Sequence, residues 1–142
     1  EMLKQKKTPE VETFEIGPTW AMTQLMKKYE FADPVLFSVV LGHEGEAPAT
    51  PQALAAMIQM IPAGTIWGIT QANRRDFSLL AGAVGMGAKT VRIGFEDSNY
   101  LNAVTQADTN APLVAKTVRM LRAMDKEPMT PGEAREFFGI GR

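Results

Sequence analysis

Apolar positions recur along the chain at two different spacings, and the two alternate. Glu12–Ile16 (ETFEI) alternates polar and apolar residues after Thr8-Pro9, the period of a strand. Pro18 and Thr19 then open a helical stretch from Trp20 to Lys28, with Trp20, Leu25 and Met26 on its expected packed face. Val35–Leu41 is a continuous apolar, β-branched run between Asp33-Pro34 and Gly42, the pattern of a strand covered on both faces. Thr50-Pro51 supplies an N-cap and a first-turn proline for a helix through Leu54, Met57, Ile58 and Ile61. Thr65–Thr70 predicts a third strand, Arg75–Met86 a third helix and Thr90–Phe95 a fourth strand. Asn110–Met124 predicts an amphipathic helix with Leu113, Val114, Thr117, Val118 and Leu121 on one face. Thr130-Pro131, with Glu133 three residues on, predicts a capping box and a last short helix ending at Phe138-Gly139. The opening Glu1–Lys7 reads as the tail of a charged helix.

Strands alternating with helices predict βαβ units and a parallel sheet. Four βα units and one extra helix fit two architectures. One is a small open doubly wound sheet. The other is half of a (β/α)8 barrel, which needs about 250 residues to close. Pattern alone leaves both open.

Composition narrows the function classes. The chain has 142 residues, 45% hydrophobic and 22% charged, which suits a globular domain with a real core. Its 15 basic and 16 acidic residues give a formal net charge of −1 and no basic stripe for nucleic acid. With no cysteine, disulfides, thiolate nucleophiles and cysteine-ligated zinc are excluded, and a cytoplasmic setting is expected. No apolar run approaches the roughly 18 residues of a membrane helix, and no signal-peptide pattern opens the sequence.

In either architecture, chemistry gathers at the carboxyl ends of the strands. The richest cluster there is Arg92-Ile93-Gly94-Phe95-Glu96-Asp97. Strand alternation would set Arg92, Gly94 and Glu96 on one side and Asp97 at the strand end. Two adjacent carboxylates suit a divalent metal or acid–base work, and a nearby arginine favours their charged form. An ordinary Arg–Glu ion pair is the plainer reading of the same residues. Glu10, after Pro9, reads as a solvated loop carboxylate. His43 is the single histidine and makes no metal site by spacing. Arg74 and Arg75 could bind an anion at a helix start, with a solvated charge pair the plainer alternative. Trp20 and Trp67 read as packing residues, and Met22, Met26, Met57 and Met60 as core filler.

These segments carry a family resemblance. Thr8–Glu15 (TPEVETFE) is similar to the "kPElEvFd" segment of the beta-keto acid cleavage enzymes, whose founding activity is 3-keto-5-aminohexanoate cleavage in lysine fermentation. Val91–Asp97 (VRIGFED) resembles their "VRVGLED" strand, Asn110–Val114 (NAPLV) their "NaeLV" helix start, and Thr130–Arg135 (TPGEAR) their "TPaEAR". The four matches fall in family order along the chain. The loop after the third expected strand departs from the family's glycine-and-arginine pattern, and Glu44 and Glu46 add charge to the loop after the second.

The resemblance implies a zinc-dependent (β/α)8 TIM barrel, with residues 1–142 as the C-terminal half of that domain. It implies that Glu96 is a zinc ligand, Asp97 the catalytic aspartate, Arg92 its partner and Glu10 an active-site carboxylate. The family's two further ligands form an H-x-H motif that this sequence lacks, so a missing N-terminal half-barrel is an implied partner. The implied activity is that of an acyl/acetyl transferase cleaving a C–C bond. A beta-keto acid and acetyl-CoA, a CoA thioester co-substrate, give acetoacetate and a new acyl-CoA. A homo-oligomer is expected as well. Two other readings remain: a non-catalytic half-barrel pairing with itself without metal, and an unrelated open-sheet α/β module.

Overall fold

The computed structural model describes residues 1–5 and 7–140. Four strands and five helices follow in the order β1 (Glu10–Thr13), α1 (Ile16–Lys28), β2 (Leu36–Leu41), α2 (Pro51–Ile58), β3 (Ile66–Gln71), α3 (Ser78–Gly85), β4 (Thr90–Val91), α4 (Asn110–Ala123) and α5 (Pro131–Phe137). All strand pairings are parallel, and the sheet order is β1-β2-β3-β4. A doubly wound sheet reverses its strand order partway; this sheet adds each new strand on the same side. Helices α1, α2 and α3 contact one another in sequence as a single layer. That is the arrangement of consecutive βα units in a partial TIM-barrel-like fold.

Every residue of β2 is buried, as its uninterrupted apolar run predicts. Val39 and Leu41 of β2, with Ile69 of β3, pack against Leu54 and Met57 of α2 and Leu80 and Ala83 of α3. The opposite face of the sheet is a cavity of about 440 Å3, lined by Glu10, Leu36, Ser38, Thr70 and Arg92. Phe138 and Ile140, beyond α5, line its amino end, where the Thr8 hydroxyl donates to the Phe138 carbonyl at 3.3 Å. No helix among the described residues is long and apolar enough to cross a membrane.

Several boundaries differ from the expectation, for identifiable reasons. β1 is Glu10–Thr13 rather than Glu12–Ile16, because Ile16 already belongs to α1. Pro18 does not precede α1 but sits in its first turn, where its missing N–H is not needed. The packed face of α1 is Thr19, Met22, Thr23 and Met26, while Trp20 is 56% exposed and Leu25 is also exposed. Thr19 and Thr23 are buried because their hydroxyls donate back to the Glu15 and Trp20 carbonyls, each at 2.7 Å. α2 stops at Ile58, and Met60 and Ile61 continue in tighter i→i−3 bonds. α3 begins at Ser78, not Arg75, because the Asp76 carboxylate accepts from the Ser78 N–H at 2.7 Å.

β4 is two residues long rather than six. The Arg92 N–H still donates to Ile69 O at 3.0 Å, but the Gly94 carbonyl then accepts from both Asp97 and Ser98 N–H. The Phe95 N–H is taken by Asn110 Oδ1 at 3.1 Å. A local turn and a side chain therefore satisfy groups that a longer strand would have paired, and Arg92, Gly94 and Glu96 do not alternate along one strand. The bounds of α4 and α5 hold within a residue, but the packed face of α4 centres on Leu113 and Thr117, and Val114, expected on it, is 47% exposed. At α5, Thr130 Oγ1 accepts from the Glu133 N–H and the Glu133 carboxylate accepts from the Thr130 N–H at 2.8 Å. At the opening, Gln5 and Lys7 N–H donate to Glu1 O and Met2 O in turns. Lys6, inside the expected charged helix tail, lies outside the described residues.

Candidate active site at the carboxyl edge of the sheet

The loops that follow the strands are tied to one another by backbone contacts. Ala72 N–H donates to Leu41 O at 2.8 Å, and Asn73 N–H to Asp97 O at 2.9 Å. The Asn73 side chain reaches Gly42 O at 3.1 Å. A Cβ on Gly42 would stand 2.7 Å from Ala72 O, and Gly42 has φ +93°, so only glycine lets these two loops approach so closely. Ser98 Oγ donates to Arg74 O at 2.5 Å and fastens the loop after β4 to the loop after β3.

On this edge Arg92 gathers the carboxylates. Its Nη2 and Nε fork onto Asp97, at 2.7 Å to Oδ1 and 3.2 Å to Oδ2. Its Nη1 lies 2.7 Å from Glu12 Oε1, and Glu96 Oε1 stands 3.6 Å from Nη2. The pKa of the guanidinium is raised, first by the hydrogen bonds to Asp97 and then by the Asp97, Glu96 and Glu12 charges, against the opposing effect of partial burial. The Asp97 side chain is only 5% exposed, whereas that of Glu96 is 82% exposed. Two neighbouring carboxylates thus stand in opposite environments, one gripped and dry, the other open.

Glu10 is not a loop residue. It begins β1, faces the cavity, and accepts from Ser38 Oγ at 2.6 Å. Glu10 and Arg92 line the same cavity, but the β1 carboxylate that meets the arginine is Glu12. Glu12 and Ser38 were not among the expected site residues. The signals were present: Glu10 and Glu12 sit two apart, on one face of a strand, and Ser38 is the single hydroxyl in an apolar run. His43 is exposed, edge-on to Phe14 with ring centroids 5.8 Å apart.

Arg74 overturns its expected solvated reading. It is 1% exposed, with its guanidinium 4.0 Å from the Phe77 ring centroid. Burial lowers its pKa, partly offset by the Asp76 and Asp97 charges. Its Nη1 and Nη2 have no hydrogen-bond partner among the described residues. Arg75 does point outward, over the ring of Tyr100. Among the described residues no group of three or more His, Asp or Glu is placed to hold a metal ion.

Comparison with known proteins places this arrangement. The family model for beta-keto acid cleavage enzymes matches residues 1–140. A 3-keto-5-aminohexanoate cleavage enzyme of Acetoanaerobium sticklandii is 34% identical over 99% of this chain and 51% of the relative. A protein of the same name from Fusobacterium nucleatum is 33% identical over 93% of this chain and 47% of the relative. A 3-dehydrocarnitine:acetyl-CoA trimethylamine transferase of Rhizobium meliloti is 32% identical over 89% of this chain and 42% of the relative. The chain therefore spans about half the length of the curated relatives it matches. With the match running from the β1 carboxylates through the Arg92–Asp97 pair to α5, the chain belongs to the beta-keto acid cleavage enzyme family.

Proposed function

We propose that this chain supplies the second half of the catalytic barrel of a zinc-dependent beta-keto acid cleavage enzyme. The observation that carries the reading is the forked Arg92–Asp97 pair at the carboxyl edge, beside the open carboxylate of Glu96. Names among its relatives, which include acetyl-CoA transferases, support the same chemistry. A beta-keto acid condenses with acetyl-CoA, CoA passes to the other carbonyl of the adduct, and C–C cleavage releases acetoacetate and a new acyl-CoA.

Asp97 is the base. The arginine fork fixes its orientation and uses one acceptor position on each oxygen, and a carboxylate has about four. The remaining positions can take the acidic proton from the carbon between two carbonyls. When Asp97 gains that proton, Arg92 loses one of its two close counter-charges. Its field then acts on the negative charge developing on carbon. Glu12 holds the other end of the guanidinium and keeps it in place. Glu10, oriented by Ser38, faces the same cavity as Arg92 and contributes an acceptor to its lining.

The donor set here fits one position of a shared metal centre. Glu96 is a carboxylate at the rim, mostly exposed and in loose contact with Arg92 alone among the described charges. Zinc held by Glu96 and by imidazoles outside this chain would polarise a ketone oxygen of the substrate as a Lewis acid. The first half of the barrel is the partner that brings those imidazoles, and the cavity face of the sheet is where it closes. The assembled barrels associate further as a homo-oligomer in the cytoplasm.

The test is metal retention after the chain is assembled with the first half of a homologous barrel. The wild-type assembly retains zinc through gel filtration, and Glu96→Gln lowers its affinity at least tenfold. Equal retention by both removes Glu96 from the centre. A stable homodimer of this chain, unable to take up the other half, would favour the non-catalytic reading instead.

A further inference from the structure

A polar cavity of about 340 Å3 opens between the loops after β3 and β4, and its walls include Asn73, Arg75, Glu96, Asp97 and Tyr100. Arg75 is exposed, with its guanidinium carbon 3.8 Å from the centroid of the Tyr100 ring. A guanidinium over an aromatic face keeps its N–H edge free to fork onto an oxyanion. Among the described residues no carboxylate stands within 4.0 Å of it. The other two arginines of this edge are committed. Arg92 is matched by Glu12, Asp97 and Glu96, and Arg74 is buried against Phe77.

The backbone of Tyr100, under Arg75, is held on both sides. Tyr100 N–H donates to Ser98 Oγ at 3.2 Å, and Tyr100 bridges Gln106 in antiparallel fashion. Backbone on either side of Arg75 is fixed as well, through Arg74 O and the Asp76–Ser78 bond. The backbone that carries the pair needs no ordering by a ligand, which favours binding. The two carboxylates in the same cavity leave Arg75 unpaired: Asp97 is forked by Arg92, and Glu96 is mostly exposed and in loose contact with Arg92.

We infer that Arg75, on its Tyr100 platform, docks an oxyanion of the substrates beside Glu96 and Asp97, a carboxylate or a phosphate. This rests on the reading that the carboxyl edge carries the chemistry. Both proposed substrates offer such a group: phosphates on the CoA thioester, and an acid group wherever the keto acid carries a second one.

The titrations use wild-type and variant chains assembled, without added metal, with the first half of a homologous barrel. Calorimetric titration with inorganic pyrophosphate probes the phosphate source, and titration with glutarate the carboxylate source. At least one of them binds the wild type. Arg75→Ala, at an exposed position, weakens that binding at least tenfold, and Arg75→Lys, which keeps charge but loses the planar stack, restores part of it. Binding of pyrophosphate alone assigns the site to the CoA thioester, and binding of glutarate alone to an acid group of the keto acid. Binding of neither probe, or equal binding by Arg75→Ala, overturns the inference. Neither result depends on turnover, so the proposed activity stands or falls separately, on the assembled barrel.

Discussion

Arg92, one residue past the last strand, reaches Glu12 on the first strand at 2.7 Å. Strands β2 and β3 lie between them, and three strand spacings in a flat sheet come to about 14 Å. The contact therefore runs across the whole cavity face and couples the two outer strands. The same guanidinium forks onto Asp97, so one side chain links the register of β1 to the position of the proposed base.

The two arms of this link differ in environment, and their removal should differ in effect. Glu12 is partly solvated, so Glu12→Gln should cost no more than about 1 kcal/mol. Asp97 is dry and doubly bonded, so Asp97→Asn should cost about 2 kcal/mol. Urea unfolding midpoints of the two variants check the order. A larger loss from Glu12→Gln than from Asp97→Asn contradicts it.

Gly68 lets β3 and β4 lie together. A Cβ there would stand 1.7 Å from Thr90 Oγ1 and 2.8 Å from the Thr90 carbonyl, a backbone group. Gly68→Ala should therefore destabilise by at least about 2 kcal/mol and displace β4, which leads directly into Arg92. Thermal unfolding and the amide resonances of Val91 and Arg92 read both effects, and an unshifted spectrum at unchanged stability would refute the packing argument.

Asp76 carries a pH signature. Its pKa is lowered from 3.8, first by accepting the Ser78 N–H, then by the Ser78 hydroxyl, and by Arg74 and Lys116 against slight desolvation. A carboxyl depressed in the folded state stabilises above its unfolded pKa, and this is lost as pH falls through the folded value. Asp76→Asn should flatten the acid limb of the stability curve below about pH 4. Because the side chain is exposed, the loss near neutrality should be about 0.5 kcal/mol. A parallel acid limb in wild type and variant would remove Asp76 from the account.

Buried Arg74 should behave unlike an ion pair. Its terminal nitrogens lack partners among the described residues, so Arg74→Met, which keeps volume and contact with Phe77, should change stability by less than about 1.5 kcal/mol. Arg74→Ala, which opens a hole, should cost about 3 kcal/mol. Melting temperatures of the two decide whether volume or charge is what the site requires, and equal losses would favour charge.

Element order and the parallel sheet were legible because β2, α4 and α5 carry strong local signals: an unbroken apolar run, an amphipathic period and a capping box. β4 was not, since Gly94 and Asn110 satisfy the backbone there by contacts that no strand pattern encodes. The packed face of α1 was misread because threonines that bond their own helix bury more readily than a large tryptophan facing outward. At the site, Arg92, Glu96 and Asp97 stood out by adjacency in sequence. Glu12 meets Arg92 only through the fold, 80 residues away along the chain. Arg74 looked solvated because arginines almost always are, and only its seat on Phe77 shows otherwise.

The central claim is that Asp97, held by Arg92, is the base of a beta-keto acid cleavage reaction. The most direct measurement is acetoacetate release from acetyl-CoA and a panel of beta-keto acids, by this chain assembled with the first half of a homologous zinc-loaded barrel. The account predicts acetoacetate and new acyl-CoA in equal amounts, with turnover reduced at least about a hundredfold by Asp97→Asn while zinc stays bound. A zinc-loaded assembly whose turnover is unchanged by Asp97→Asn, or one that forms no acetoacetate from any of the acids, would contradict it.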